Sequence, residues 1–349
     1  STLPNFEEFV NLAPGTYDVD ENPNDNYNTT ASCSNQSPID AITVAPGEIV
    51  TCTFVNAIKR GGITVVKQTY PDTQEVFGFT ASYDQDGFTL TNGQSEPSGP
   101  LLPGTYSVSE TNAPAGWVLT SATCSDGSNP SAIDLGPNES VLCTFVNTKL
   151  GSIEVVKNTQ GGDGIFAFIV SGNKSYQNFF ITTAGGTGSN VQNNIVPGTY
   201  SAQETVPDGW SKTSDNCQEI VVSPGQTTTC TVANTKLGTI TIIKDTIPND
   251  PTDFAFISQT LSPFSLDDDS DGALSNTQTF GNLTPGSYDV AETVNANYNT
   301  TVSCDDPDQQ SSISGVSANI DLDPGETVTC TFTNTQKGHL IVSKITDPA

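Results

Sequence analysis

One pattern recurs along the chain and sets its organisation. It reads Cys143-Thr-Phe-Val-Asn-Thr-Lys-Leu-Gly-Ser-Ile-Glu-Val-Val-Lys157, returns as Cys230–Lys244 and Cys330–Lys344, and has a looser copy at Cys52–Lys67. A period of two puts Cys143, Phe145 and Asn147 on one face of a first strand, and Ile153, Val155 and Lys157 on one face of a second. Each copy therefore reads as strand, short turn, strand, with an amide and an amine at the end of an apolar face. An amine placed there is costly unless it is paired or discharged. The rest of each repeat has to supply its partner.

A second marker recurs in step with the first. It is Pro-Gly-Thr/Ser-Tyr followed by a glutamate, with the glutamates at Glu21, Glu110, Glu204 and Glu292. An aromatic follows each of them: Tyr27, Trp117, Trp210 and Tyr298. This repeated position marks packing. A further turn precedes the last strand, at Pro46-Gly47, Pro137-Asn138, Pro224-Gly225 and Pro324-Gly325. Proline then glycine or asparagine suits a type II turn, whose second central residue needs positive φ.

These markers delimit three complete repeats, 62–148, 151–235 and 238–335. They also delimit a partial one, 1–57, and a lone lysine strand, 338–349. Short runs of Val, Ile, Thr, Phe and Tyr alternate with Gly/Pro/Asn/Asp clusters, and no segment sustains a helical period. The expectation is all-β: immunoglobulin-like sandwiches of about seven strands each. The connections, Asn-Thr-Lys-Leu-Gly at 147–151 and 234–238 and Asn-Thr-Gln-Lys-Gly at 334–338, are too short for free rotation. A semi-rigid rod follows. Glu21 and Asn56 have no lysine strand, while Lys344 has no glutamate or asparagine. Two readings remain open for the ends. Either the array continues in a longer chain, or the terminal strand of one molecule completes the next, head to tail.

Composition narrows the function. With 39 Asp+Glu against 11 Lys+Arg the net charge is −28, which excludes a basic patch for nucleic acid or an anionic membrane. No run of about 18 apolar residues spans a bilayer within this segment. The eight cysteines pair by repeat: Cys33/Cys52, Cys124/Cys143, Cys217/Cys230 and Cys304/Cys330. None has Cys-x-x-Cys spacing and the single histidine is His339, so zinc is not the reading. One disulfide per repeat is, and it places the chain in an oxidising, extracellular setting.

In the glutamate strand Tyr106, Val108 and Glu110 share a face. Each complete repeat thus ends three apolar faces in polar groups: Lys67/Glu110/Asn147, Lys157/Glu204/Asn234 and Lys244/Glu292/Asn334. Burial raises a carboxyl pKa and lowers an amine pKa, so a proton can pass from one to the other. The neutral amine can then attack the carboxamide while the acid bonds the carbonyl and relays protons. Ammonia leaves and an amide cross-link remains. The alternative is an unreacted buried Lys–Glu pair with asparagine as hydrogen-bond partner.

Lysine in the first strand, glutamate in Pro-Gly-Thr-Tyr-Ser-Val-Ser-Glu110 and asparagine in Cys-Thr-Phe-Val-Asn147 resemble the Cna B-type, prealbumin-like domain of bacterial surface adhesins and sortase-built pilins. The resemblance covers nearly the whole chain. It implies an intramolecular Lys–Asn isopeptide bond promoted by glutamate, and a cell-surface stalk or pilus-like filament that needs no cofactor. The runner-up function is an adhesin whose repeats bind a host, matrix or carbohydrate ligand.

Two weaker signals remain. Asp267, Asp269 and Asp271 lie in an Asp-x-Asp-x-Asp-Gly loop of the calcium type, although its twelfth position is Gln278 and not the glutamate of an EF-hand. Sequons occur at Asn28, Asn35, Asn138, Asn173, Asn282 and Asn299. The chain has no Gly-rich phosphate loop and no Ser/His/Asp set, so turnover of an external substrate is not expected.

Overall fold

The computed structural model describes residues 6–172, 178–269 and 272–347. Two compact units divide the chain, 1–150 and 151–349. All regular structure among the described residues is β-strand.

The strands follow the two-residue alternation of the sequence. In Gly62–Tyr70, Ile63, Val65, Lys67 and Thr69 turn inward and the residues between them face outward. Gly151–Gln160 and Gly238–Ile247 repeat this pattern. In each case the lysine strand pairs in parallel with the asparagine strand, Ser140–Lys149, Thr227–Lys236 or Thr327–Gln336. The register is the same each time: Phe145 opposite Lys67, Val232 opposite Lys157, and Phe332 opposite Lys244. On its other side the asparagine strand pairs antiparallel with Trp117–Cys124, Trp210–Asp215 or Tyr298–Asp305. The second sheet carries the phenylalanine and glutamate strands, paired antiparallel: Phe77–Ala81 with Val108–Asn112, Ile165–Ser171 with Gly198–Thr205, and Phe254–Ile257 with Gly286–Glu292.

Three apolar cores fill the space between the sheets, drawn from residues 63–145, 153–232 and 240–332. Each complete repeat carries a Phe-x-Phe pair, Phe77/Phe79, Phe166/Phe168 or Phe254/Phe256, and the repeated aromatic packs edge-on against its first phenylalanine. Ring centroids are 5.7 Å apart for Phe77–Trp117, 5.1 Å for Phe166–Trp210 and 5.3 Å for Phe254–Tyr298.

The recurring strand–turn–strand pattern straddles the boundary between repeats, as the repeat bounds 62–148 and 151–235 imply. Leu150 alone separates Ser140–Lys149 from Gly151–Gln160, and these two strands enter different sheets. The pattern is the last strand of one sandwich followed by the first strand of the next.

Four disulfides form: Cys33–Cys52, Cys124–Cys143, Cys217–Cys230 and Cys304–Cys330. Three of them join directly opposed residues of adjacent antiparallel strands. The turn before the asparagine strand has the expected positive φ at its second residue, 76° at Gly47, 59° at Asn138, 70° at Gly225 and 75° at Gly325.

Residues 6–58 hold a smaller set of strands. Tyr27–Cys33 pairs with Cys52–Ile58, and Gly15–Tyr17 with Ile42–Val44. Cys52–Ile58 corresponds to the asparagine strand, and among the described residues it pairs on one side only. Residues 337–347 form no strand.

Candidate functional site

The three polar groups of each complete repeat meet. Parallel pairing of the first and last strands brings lysine and asparagine together, and the glutamate arrives from the opposite sheet. A tyrosine hydroxyl fixes the start of each glutamate strand by donating to the carbonyl four residues back. The distances are 2.8 Å for Tyr106 to Leu102, 2.6 Å for Tyr200 to Val196 and 2.7 Å for Tyr288 to Thr284.

Lys67 has no solvent exposure. Its Nζ donates to Asn147 Oδ1 at 2.8 Å, and to the carbonyls of Gln68 at 2.8 Å and Phe145 at 3.3 Å. Glu110 Oε2 lies 3.7 Å away, and Asn147 Nδ2 donates to Glu110 Oε1 at 2.6 Å. In the second site Lys157 Nζ stands 3.3 Å from Glu204 Oε1, which also accepts from Asn234 Nδ2 at 2.9 Å. In the third, Lys244 Nζ is 3.7 Å from Glu292 Oε2, while Asn334 Nδ2 donates to Glu292 Oε1 at 2.5 Å. Lys157 and Lys244 also donate to backbone carbonyls, those of Val232 and Phe332 among them.

Burial sets the electrostatics. It lowers the Lys67 pKa to about 8 against the opposing pull of Glu110. It lowers those of Lys157 and Lys244 as well, and it raises that of Glu292 against its bonds from Asn334 and Lys244. The second carboxylate oxygens, Glu110 Oε2, Glu204 Oε2 and Glu292 Oε2, are buried without a hydrogen-bond donor. An unpaired buried carboxylate oxygen is costly, and a proton placed on it relieves that cost. At the third site the Lys244–Glu292 pair is therefore biased toward neutral amine and neutral acid.

Two features are not legible in the sequence. The first is the aromatic floor. Each amine lies over the first phenylalanine of its pair, 4.3 Å from the Phe77 centroid, 4.5 Å from Phe166 and 4.4 Å from Phe254. The recurring Phe-x-Phe was the available signal, but nothing local showed that its ring faces the lysine. The second is the position of the acid. The sequence pointed to the carboxamide oxygen as its partner, whereas in all three sites the glutamate accepts from the carboxamide nitrogen.

The remaining candidates are placed differently. Asn56 Nδ2 donates to Glu21 Oε1 at 2.5 Å in an exposed setting, with no lysine strand beside them among the described residues. Lys344 is exposed. Of the calcium-type loop, Asp267 is buried, and the neighbouring Asp268 carboxylate accepts from Thr246 N at 2.9 Å, which ties it to the lysine strand. Asp271 lies outside the described residues, as does the Asn173 sequon. Among the described residues, carboxylate oxygens converge instead at Asp306, Asp308 and Glu326, all within 4.8 Å of one another.

A family model described as a prealbumin-like fold domain matches residues 63–149 and 240–336, together more than half of the chain. No curated protein matches. Among solved structures the chain is similar to the TIE protein of Bacillus anthracis, with 18% identity over 89% of this chain and 58% of that one, at a TM-score of 0.33. It is also similar to the T-13 major pilin protein of Streptococcus pyogenes, with 13% identity over 54% of this chain and 98% of that one, at a TM-score of 0.26. A third is the pilus adhesin SpaC of Lactobacillus rhamnosus GG, with 13% identity, 85% and 46% coverage and a TM-score of 0.24. The chain spans less than two thirds of the length of the Bacillus anthracis protein.

Proposed function

The chain belongs to the family of prealbumin-like fold domains, and from that membership we propose that it is an extracellular structural protein of a cell-surface stalk or pilus-like filament. Its sandwiches are locked by Lys67–Asn147, Lys157–Asn234 and Lys244–Asn334 amide bonds. The observation that carries the reading is the buried Lys–Glu–Asn cluster, built three times in one register between the first and last strands of a repeat.

The chemistry follows from the contacts. The lysine ammonium passes a proton to glutamate and becomes a free amine. Its Nζ attacks the asparagine carboxamide carbon. Glutamate, already at hydrogen-bond distance from Nδ2, gives its proton to that nitrogen, which leaves as ammonia, and takes up the proton that Nζ sheds on becoming an amide nitrogen. One C–N bond forms, one breaks, and no oxidant or cofactor takes part. The buried ammonium is replaced by a neutral amide, so the desolvation cost of the charge disappears.

The mechanical consequence lies in the topology. Because the first and last strands run parallel, the chain enters a sheet at one end and leaves at the other. A Lys–Asn bond joins those two strands directly, and a pull along the chain then bypasses everything between them. Intact mass tests the reading. The native chain should be lighter than its sequence by one ammonia for each bond, and Glu110→Ala should restore one ammonia, located in peptides carrying Lys67 and Asn147. A native mass equal to that of the sequence would leave an unreacted buried pair at each site.

A further inference from the structure

We infer that the third complete repeat carries a binding site for a neutral oligosaccharide, in a groove on the outer face of its second sheet. The inference goes beyond the structural role proposed above and does not rest on the amide bonds.

The third repeat departs from the other two between its cysteines. Its disulfide closes a loop of 26 residues, against 19 in the first repeat and 13 in the second. The added length builds structure. In the first two repeats the strand opposite the tyrosine of the glutamate strand has three residues, Ile133–Leu135 or Ile220–Val222. In the third it is the six-residue Ser317–Leu322, with a further strand, Ser312–Ser314, on its other side. The sheet reaches five strands as a result. A groove of about 750 Å³ lies along it, within the size range of small-molecule sites. Every group that lines it falls between residues 257 and 321.

The two-residue period decides which side chains reach the groove. In Gly286–Glu292, Val290 and Glu292 are buried, so Ser287, Asp289 and Ala291 point outward. In Ser317–Leu322, Ala318, Ile320 and Leu322 are buried, so Ser317, Asn319 and Asp321 point outward. The register sets these groups in rows across the sheet. Asp321 stands opposite Ser287, Asn319 between Asp289 and Ser312, and Ala291 between Ile257 and Ser317.

The rims are held by the protein's own hydrogen bonds. On one side Asp289 accepts from Gln259 N and from Thr260 Oγ1, each at 3.1 Å, and Thr260 Oγ1 accepts from Asp289 N at 3.2 Å. These bonds fix residues 258–260 against the sheet. On the other side Gln310 donates to Asp308 twice, from N at 3.1 Å and from Nε2 at 2.6 Å, and Asp321 N donates to Ser311 Oγ at 3.1 Å. The floor differs from the rims. Among the described residues the side chains of Ser287, Ser312, Ser317, Asn319 and Asp321 make no hydrogen bond within the protein. A ligand thus meets a shaped groove with uncommitted polar groups on its floor, an arrangement that spares it the cost of ordering the site.

The chemistry of the floor selects the ligand. Each serine hydroxyl both donates and accepts, and so does the Asn319 amide. The Asp321 carboxylate can accept from two neighbouring hydroxyls of one sugar ring. Ile257, 57% exposed, and Ala291 beside it offer an apolar strip for the C–H face of that ring. No lysine or arginine lines the groove and the chain carries a net charge of −28, so a phosphorylated, sulfated or sialylated ligand is repelled. A cationic ligand would find Asp321 alone, because the Asp289 carboxylate already holds residues 258–260. The second repeat has no counterpart of this floor. Asp321 and Val221 each follow the isoleucine opposite the tyrosine, and Val221 is apolar and 61% exposed.

The test is calorimetric titration of the 349-residue chain with neutral tri- and tetrasaccharides of glucose, galactose, mannose and N-acetylglucosamine. Sialyllactose and an oligolysine peptide are titrated alongside. We expect saturable binding of at least one neutral saccharide and none of the two charged probes. Asp321→Ala and Asn319→Ala should each weaken binding about tenfold, the loss of one good hydrogen-bonding group. Their side chains point outward, so Tm should not move. Asp321→Asn keeps the shape and drops the charge, and should weaken binding too. Asp134→Ala, at the matching outward position of the first repeat, should leave it unchanged. The proposal is overturned if no neutral saccharide binds, if binding survives both Asp321→Ala and Asn319→Ala, or if sialyllactose or oligolysine binds in preference.

Discussion

At the Lys67 site burial removes the water that would solvate an ammonium, and the pKa falls to about 8 although Glu110 favours the charge. The reactive state holds one proton between the two groups, with the amine neutral and the acid protonated. Below about pH 8 the Lys67–Glu110 pair retains that proton. As pH rises through about 8 the pair loses it, and the free amine then faces a carboxylate that cannot protonate the leaving nitrogen. Bond formation in this repeat should therefore slow above about pH 8. If deprotonation of lysine were the whole requirement, it should accelerate. Chain recovered unfolded from inclusion bodies and refolded between pH 6 and 10, with ammonia loss from the Lys67 peptide timed by mass, decides between these signs. Glu110→Gln keeps the hydrogen bond to Asn147 and loses the relay, so it should stay unbonded at every pH.

Among the elements, the lysine strands are the most constrained, because each starts under a turn of its own sandwich. Gly151 shows the tolerance: an added Cβ would lie 2.5 Å from Val222 Cγ1 and 2.7 Å from the Gln226 carbonyl. Backbone cannot give way there as a side-chain tip can. Gly151→Ala should cost about 2 kcal/mol, as overpacking in a filled core does, measured by urea unfolding of the 151–349 unit. The disulfides bind the neighbouring strands by another route, closing loops of 19, 19, 13 and 26 residues. Loops of that size correspond to about 3 kcal/mol each.

For the molecule under load, the order of the strands matters more than their stability. Lys67 and Asn147 are 80 residues apart in sequence, and a bond between them removes that length from any extension. With Glu110→Ala the repeat can open. The Cys124–Cys143 disulfide still withholds 19 residues, so single-molecule pulling should gain about 200 Å of contour length at roughly 3.4 Å per residue. Adding a reductant should lengthen the gain further. The native chain should show neither step. A native trace in which this repeat opens to full length would exclude the Lys67–Asn147 bond.

Local period and recurrence by themselves determined much of this protein. Alternation decided that Lys67, Glu110 and Asn147 face inward, because a strand sends every second side chain to one face whatever its neighbours are. The single recurring cysteine pair per repeat indicated the disulfides, and Pro-Gly and Pro-Asn marked turns whose second residue has positive φ. Other decisions belonged to contacts distant in sequence. Periodicity could not show that Gly62–Tyr70 and Ser140–Lys149 are parallel neighbours, since a parallel and an antiparallel pairing satisfy the same alternation. It could not place the Phe77 ring beneath Lys67 or aim Glu110 at the carboxamide nitrogen, because both reach the amine from the opposite sheet. The residues that could react were legible in the amino-acid order, and the packing of one sheet on the other decided which of their atoms meet.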